Sequence, residues 1–271
     1  MIASYNYVKN ILEENKTFAK KKYGQNFLID NNIADKIARI AASTTTIEIG
    51  PGLGSLTEHL LNYADNIYVY EIDETMYDIL NKTFDNKINI NLIDFLELDL
   101  NNVPYKDDEI SICSNLPYYV TTPILFKLFE SDLNIKKITV MVQKEVADRF
   151  KAKIGSEDYN ALSIIVQYLY DVKYEMNISK NVFYPKPNVD SAVISFIPKI
   201  KRDKEFENSF FELVKSCFMQ RRKTLFNNLR NNFDEDKIKE MYIKLNLNDK
   251  VRPQELSLED YLRIYEVLYE R

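Results

Sequence analysis

Short runs of apolar residues alternate along the first half of the chain with segments whose apolar residues repeat at helical spacing. Strand-like runs lie at 47–49, 67–71, 88–94, 110–115 and 138–142. Between them, Leu56, Leu60 and Tyr63 recur at i, i+4 and i+7, which is typical of one helix face. This alternation predicts an α/β fold, a mostly parallel sheet with helices on both faces.

The order of elements changes after residue 142. Helices are predicted at about 143–151 and 159–169, followed by strands at about 172–178 and 189–197. Two strands adjacent in sequence predict an antiparallel edge on the sheet. After residue 198 only helical patterns remain. We therefore predict two domains, one over 1–200 and an all-helical one over 201–271.

The composition narrows the possible chemistry. The chain has 271 residues and one histidine, His59, so a histidine base or a histidine-rich metal site is not expected. Cys113 and Cys217 lack CxxC spacing and lie among apolar residues, so we expect two buried thiols and no bound metal. No apolar run approaches the roughly 18 residues of a membrane span, and Glu13 and Glu14 interrupt the N-terminal segment. A cytoplasmic protein without a membrane partner is expected.

The charge pattern is mixed. The formal net charge of -5 disfavours nucleic acid as a partner, because phosphate binding relies on Lys and Arg. Two segments are nevertheless basic, 16–23 and 199–230. A run of charge is as often a solvated face as a binding surface, so neither segment decides the question alone.

A glycine-rich turn follows the first strand of the predicted sheet. Three of the five glycines of the chain, Gly50, Gly52 and Gly54, lie within the segment IEIGPGLGSLT. Their clustering indicates a tight turn or a close approach of a ligand to the backbone. A plain strand-to-helix turn is the alternative, since GPGLG is not the GxGxxG pattern of dinucleotide-binding folds.

Two acidic residues favour a ligand site. Glu71 ends the second strand about 20 residues after the loop, where a carboxylate can accept ribose hydroxyls. Asp94 ends the third strand and could accept an adenine amino group. Ligands of open α/β sheets bind at the carboxyl ends of the strands, so this arrangement predicts an adenosine site. No lysine of the phosphate-loop type follows the glycines, which points to S-adenosylmethionine rather than a nucleotide.

The fourth strand ends in the segment Ser114 to Tyr119, whose chemistry suits methylation of an exocyclic amine. The Asn115 side-chain oxygen and the Leu116 carbonyl could accept the two N–H groups of an adenine N6. Pro117 would fix the backbone, and Tyr118 offers a face on which a base stacks. No strong base is required, because the ammonium product loses its proton to water.

The chain resembles the ribosomal RNA small-subunit adenine N6,N6-dimethyltransferase family, of the KsgA type. The matching segments are YGQNFL at 23–28, EIGPGLGSLT at 48–57, EID at 71–73, Asp94, NLPYYVTTP at 115–123, VQKEVA at 142–147, FYPKPNVDS at 183–191 and QRRKTL at 220–225. Tyr23 stands where a leucine is usual in the family. The resemblance implies a class I S-adenosylmethionine-dependent methyltransferase domain, with a Rossmann-like seven-stranded sheet, followed by a small helical domain.

The resemblance also implies roles for individual residues. The predicted cofactor-binding residues are Asn26, Leu28, Gly50, Glu71, Asp94 and Asn115. The predicted catalytic residues are Asn115, Leu116, Pro117, Tyr118 and Phe183, the last an aromatic that sandwiches the flipped adenine; from the residues alone Phe183 could equally be a core side chain. The predicted RNA contacts are Lys20, Lys21, Lys22, Arg149, Arg221, Arg222 and Lys223.

By this resemblance we expect an enzyme that dimethylates two adjacent adenines in the 3′-terminal hairpin loop of 16S rRNA, within the immature 30S subunit. A monomer is expected, because no exposed apolar seam stands out in the sequence. An Erm-type methyltransferase of large-subunit rRNA is the nearest alternative, and it shares the catalytic core. A non-catalytic ribosome assembly factor on the same fold is the alternative from another class, although the complete adenosine site disfavours it.

Overall fold

The computed structural model describes residues 1–117, 119–199 and 203–270. Its strands are β1 (Phe27–Leu28), β2 (Thr45–Ile49), β3 (Asn66–Glu71), β4 (Asn89–Leu92), β5 (Glu109–Asn115), β6 (Asn134–Gln143), β7 (Tyr170–Ile178), β8 (Phe183–Tyr184) and β9 (Ser191–Pro198). Its helices are α1 (Tyr5–Glu14), α2 (Asn31–Ala41), α3 (Thr57–Leu60), α4 (Glu74–Phe84), α5 (Thr121–Glu130), α6 (Lys144–Arg149), α7 (Ala161–Leu169), α8 (Lys204–Cys217), α9 (Leu225–Leu229), α10 (Glu235–Lys244) and α11 (Leu258–Tyr269).

Seven strands form one sheet in the order β4-β3-β2-β5-β6-β9-β7. The pairs of β2 with β3 and with β5, β3 with β4, and β5 with β6 are all parallel, whereas β9 runs antiparallel to β6. The predicted mostly parallel sheet with an antiparallel edge is therefore confirmed. From β2 the chain adds β3 and β4 on one side and then β5 and β6 on the other. This reversal leaves a crevice at the carboxyl ends of β2 and β5.

Burial explains why the central strands form where they do. All five residues of β2 are buried, as expected for a parallel strand covered on both faces. On α2, the buried residues Ala34, Ile37, Ala38 and Ala41 form one stripe at helical spacing. The side chain of Asp30 accepts a hydrogen bond from the Ile33 amide and caps this helix.

A second, two-stranded sheet joins distant parts of the chain. In it β1 pairs antiparallel with β8, so that Phe27 lies opposite Tyr184 and Leu28 opposite Phe183. Leu28 and Phe183 are buried in the same hydrophobic core cluster. Strands of two residues leave no periodic pattern in the sequence, so the sequence predicts only the longer strands of the main sheet.

The chain forms two compact units, the first from residues 1–147 and 173–198 and the second from 148–172 and 199–271. The division after Pro198 lies beside the predicted boundary at 200, but the sequence places 148–172 in the first domain. In the second unit the Tyr159 hydroxyl donates to the Leu256 carbonyl over 3.1 Å. The ring of Tyr168 packs within 5.4 Å of that of Phe210. Aromatic contacts between residues far apart in sequence therefore group this segment with the C-terminal helices.

Two smaller predictions concern the cysteines and the membrane. Cys113 and Cys217 are both buried free thiols, as predicted. Within the described ranges, no helix has both the length and the apolar character that a membrane span requires.

Candidate cofactor and catalytic site

A cavity opens in the first unit at the carboxyl ends of β2, β3 and β5. Most of the residues predicted to bind the cofactor or to act on the substrate line it: Asn26, Leu28, Gly50, Glu71, Asp94, Asn115, Leu116 and Pro117. The structure therefore brings together residues from five separate segments of the chain. Their convergence is what the sheet topology predicts for a ligand site.

The glycines of the turn after β2 serve different purposes. Gly50 has a φ of 65°, and a Cβ added there would meet no atom within 4 Å, because it would point into open space. Gly54 has a φ of 87°, and its added Cβ would lie 2.5 Å from the Phe84 ring. Gly54 thus allows α4 to pack against the turn, whereas Gly50 keeps the cavity clear beside the backbone.

Glu71 is held by the backbone around it. Its Oε2 accepts from the Gly52 amide over 3.0 Å, and its Oε1 accepts from the amides of Ile72 and Asp73 over 3.0 and 2.8 Å. A carboxylate has about four acceptor positions, so the one left among the described contacts lies on Oε2. Burial raises the pKa of Glu71, and the amide hydrogen bonds oppose that effect.

Glu48 is a second carboxyl group in the cavity wall that sequence reasoning did not single out. It is 1% exposed and accepts a hydrogen bond from the Thr57 hydroxyl over 2.6 Å. The pKa of Glu48 is raised to about 8, mainly by burial and also by the nearby Glu71, whereas the Thr57 hydrogen bond acts to lower it. Glu48 is therefore mostly protonated at neutral pH, which spares Glu71 a second buried negative charge.

Asp94 lies two residues beyond β4 rather than at its last position. Its Oδ1 accepts from the Leu96 amide over 2.8 Å, which fixes the carboxylate in a turn. Among the described residues, no hydrogen bond reaches its Oδ2. Oδ2 is therefore available to accept a hydrogen bond from an amino group of a ligand in the cavity.

Asn115 has a defined orientation. Its Nδ2 donates to the Asn26 backbone carbonyl over 3.1 Å, which leaves Oδ1 as the acceptor facing away from that bond. The Pro117 carbonyl accepts from the Val120 amide and the Thr121 hydroxyl, at the start of α5. In the described part of the chain no donor reaches the Leu116 carbonyl, so this carbonyl and Asn115 Oδ1 remain as the two acceptors of the segment.

The two predicted aromatic residues have different outcomes. Tyr118 lies outside the described residues. Phe183 is only 3% exposed, pairs with Leu28 in the small sheet and is absent from the described lining of the cavity. Phe183 is thus buried in the core cluster, and its contact with a flipped adenine stays a prediction.

The segment 20–26 is attached to the sheet by Asp73, a carboxylate that is only 1% exposed. Lys20 Nζ lies 2.6 Å from Asp73 Oδ1, and Gln25 Nε2 donates to Asp73 Oδ2 over 2.8 Å. The Gln25 side-chain oxygen accepts from the Lys20 amide over 2.8 Å and closes the network. Burial acts to raise the pKa of Asp73, but the hydrogen bonds from Lys20 and Gln25 outweigh it and lower the pKa. We call Lys20, Gln25 and Asp73 the anchor.

The anchor changes the interpretation of Lys20. The sequence predicts Lys20 as a phosphate contact, whereas its ammonium group binds Asp73 in the structure. Asp73 and Gln25 received no role from sequence reasoning, although both lie in segments that resemble the family. The only local signal is that Asp73 precedes α4 and caps it through the Thr75 amide.

The other predicted RNA contacts lie on the surface of either unit. Lys21 and Lys22 are exposed, and Lys22 Nζ lies 4.3 Å from the centre of the Tyr23 ring. In the second unit, Arg149 Nε lies 3.1 Å from Asp158 and Arg221 Nη2 donates to the Ser156 carbonyl. Completing the set, Arg222 and Lys223 are also exposed.

Replacing Gly50 by alanine tests whether the open space beside the turn is the cofactor site. Both Gly50→Ala and the control Gly155→Ala force a side chain into a left-handed conformation, at about 1–2 kcal/mol. Neither new Cβ meets an atom within 4 Å, but only Gly50 lines the cavity. We expect Gly50→Ala alone to weaken binding of S-adenosylmethionine at least about tenfold by calorimetry. Equal affinities in the two variants would contradict this assignment.

Lys20→Gln tests the anchor. It removes a charged hydrogen bond to a buried carboxylate, which is worth about 1.5–3 kcal/mol. We expect a lower free energy of unfolding in urea and weaker binding of S-adenosylmethionine, because segment 20–26 carries Asn26 into the cavity wall. Lys21→Gln, at the exposed neighbouring position, should change neither quantity. If the two variants behave alike, the anchor does not support the cavity.

Comparison with known proteins identifies the family of the chain. A family model described as ribosomal RNA adenine dimethylase matches residues 16–270. A curated relative from Bacillus pumilus, named ribosomal RNA small subunit methyltransferase A, is 44% identical over 96% of this chain and 94% of its own. A protein of the same name from Bacillus mycoides is 40% identical over 98% of this chain and 97% of its own.

Solved structures show the same fold. A dimethyladenosine transferase from Plasmodium falciparum is similar with a TM-score of 0.74 and 26% identity, over 90% of this chain and 97% of that one. The 23S rRNA methyltransferase ErmE is similar with a TM-score of 0.66 at 22% identity, over 90% of this chain and 100% of that one, which supports the fold alone. With a family model matched over nearly its whole length and close curated relatives, the chain belongs to the ribosomal RNA adenine dimethylase family.

Proposed function

We propose that the protein transfers methyl groups from S-adenosylmethionine to N6 of two adjacent adenines in the 3′-terminal hairpin loop of 16S rRNA, during maturation of the 30S subunit. The observation that carries the proposal is the orientation of Asn115, whose amide nitrogen is occupied by the Asn26 carbonyl. Its oxygen can then accept a hydrogen bond inside a cavity lined by Glu71 and Asp94. The names of the relatives from Bacillus support the same activity.

The described cavity residues fit S-adenosylmethionine. The open space beside Gly50 suits the methionine part, the remaining acceptor position of Glu71 suits a ribose hydroxyl, and Asp94 Oδ2 suits the adenine amino group. Leu28 and Asn26 line the cavity from segment 20–28 and would cover the bound cofactor. When bound, S-adenosylmethionine supplies an electrophilic methyl group on a sulfonium sulfur.

The protein's part in the reaction is to position and polarise the target amine. Adenine N6 is a weak nucleophile because its lone pair is delocalised into the ring. Asn115 Oδ1 and the Leu116 carbonyl accept its N–H groups, hold N6 in line for attack and stabilise the positive charge that develops on it. The proton then leaves to water, so no side chain is required as a strong base. Pro117 keeps the Leu116 carbonyl directed inward, because its own carbonyl is bound at the start of α5.

The substrate has to present an unstacked base, which suits a single-stranded loop. We propose that Lys21, Lys22, Arg222 and Lys223, all exposed, contact RNA phosphates. Arg149 and Arg221 would contribute from the second unit, where each already contacts the segment that contains Ser156 and Asp158. Lys20 is assigned to the anchor instead. These clusters of like charge explain how a chain of net charge -5 can bind RNA.

Labelled methyl transfer distinguishes the proposed function from its two alternatives. S-adenosylmethionine with a labelled methyl group is supplied with unmethylated small subunits and, in parallel, with large-subunit rRNA, and the nucleosides are then separated. We expect dimethyladenosine only from the small subunit. Label in large-subunit rRNA would instead indicate an Erm-type enzyme. Tight binding to the small subunit without label would indicate a non-catalytic assembly factor.

Asn115→Ala tests the mechanism. We expect turnover to fall by about 10²–10³, as when one donor or acceptor of a charge-stabilising site is removed. Binding of S-adenosylmethionine should weaken only modestly, because Gly50, Glu71 and Asp94 remain. Single-turnover methyl transfer measures the first quantity and calorimetry the second. Normal turnover in this variant would disprove the role assigned to Asn115.

A further inference from the structure

Tyr119 is a large side chain at the mouth of the cavity that the catalytic arrangement does not use. It lines the cavity, yet it is 56% exposed. One edge of its ring faces Gly24, where an added Cβ would lie 3.5 Å from Tyr119 Cδ1. The Tyr119 ring therefore packs against Gly24 at one edge, and more than half of the residue remains open to a ligand.

The surroundings of Tyr119 resemble a nucleic-acid surface. Tyr23 lines the same cavity, and Lys22 Nζ lies 4.3 Å from the centre of its ring. Tyr23 directly precedes Gly24, against which the edge of the Tyr119 ring lies. An aromatic face beside a cation is the combination that binds a base and its adjoining phosphate.

The proposed substrate places a second base at this mouth. In the proposed substrate the two target adenines are consecutive, and each is methylated as a flipped base. While one adenine lies inside, the other is a single nucleotide away and has lost the stacking partner that was flipped out. An aromatic ring at the mouth can replace that partner.

We propose that Tyr119 is the stacking platform for the adenine adjacent to the one being methylated, with Lys22 contacting the phosphate that joins them. This inference rests on the proposed function and adds to it a binding subsite for the neighbouring nucleobase. It makes Tyr119 a residue for substrate positioning, not for methyl transfer. The same subsite would hold each adenine in turn while its neighbour reacts.

A double-mutant cycle between protein and RNA tests the subsite. Wild type and Tyr119→Ala are each assayed on two RNAs, one with an adenine next to the target and one with an abasic site there. The RNA is supplied in the form that the wild type methylates, which is either the free hairpin or the hairpin ligated into rRNA before subunit reconstitution. We expect Tyr119→Ala to raise the KM for adenine-containing RNA about tenfold to a hundredfold. On the abasic RNA the two proteins should differ by less than about threefold. If Tyr119→Ala raises the KM by the same factor on both RNAs, the ring and the neighbouring base act independently and the proposal is overturned.

Three controls separate stacking from general damage. Tyr119→Phe retains the ring and should restore wild-type KM, whereas Tyr119→Leu should not. Phe18→Ala removes another exposed aromatic, 72% exposed and absent from the described lining, and should leave the KM unchanged. The affinity for S-adenosylmethionine should be unaltered in every variant. A raised KM in Phe18→Ala, or a wild-type KM in Tyr119→Leu, would overturn the assignment.

Failure of this inference differs from failure of the proposed function. If wild type transfers no methyl group to either form of small-subunit rRNA, the proposed function itself is wrong. If wild type methylates both adenines and Tyr119→Ala matches it on every RNA, only the stacking subsite is wrong.

Discussion

Asp73, whose carboxylate is buried, connects the end of β3 with segment 20–26. The backbone amide of Asp73 donates to Glu71 in the cavity wall, and its side chain binds Lys20 and Gln25. Because a buried charge is costly unless it is paired, these hydrogen bonds are strongly constrained in geometry. The segment they hold carries Asn26, whose carbonyl orients the Asn115 amide. The position of Glu71 and the orientation of Asn115 thus depend on one support.

The chemistry of the cavity follows from control of charge as much as from shape. Glu48 and Glu71 are neighbouring buried carboxyl groups, and only Glu71 has its negative charge supported by three backbone amides. Glu48 has one hydroxyl donor and a pKa of about 8, so it remains mostly protonated at neutral pH. A mainly neutral Glu48 lets Glu71 act as an acceptor without added repulsion.

The sequence was sufficient to predict the sheet and most of the cavity because both depend on local patterns. Apolar runs bounded by glycine or acidic residues identify the strands, and parallel strands bring Gly50, Glu71 and Asn115 to one edge. What it could not reveal depends on contacts across the chain. The partner of Lys20 is 53 residues away, and neither residue differs locally from a solvated charge.

The same limit applies to Phe183 and to the segment 148–172. An aromatic after a loop can stack on a ligand or join a core, and only its pairing with Leu28 decides that it is buried. Likewise, the helical pattern of 159–169 does not show which domain it packs against; the ring of Tyr168 beside Phe210 does. Local propensity identifies an element, while tertiary packing decides where it belongs.

The pairing of β1 with β8 also determines when the site can be completed during synthesis of the chain. Strand β1 carries Leu28 into the cavity wall, and its partner strand lies about 155 residues later in the chain. A chain emerging from the ribosome has therefore made Glu71, Asp94 and Asn115 long before Phe183 and Tyr184 exist. Until then the central strands can assemble, but segment 20–28 lacks its partner strand. The cavity wall is therefore completed late in synthesis, only after most of the first unit has been translated.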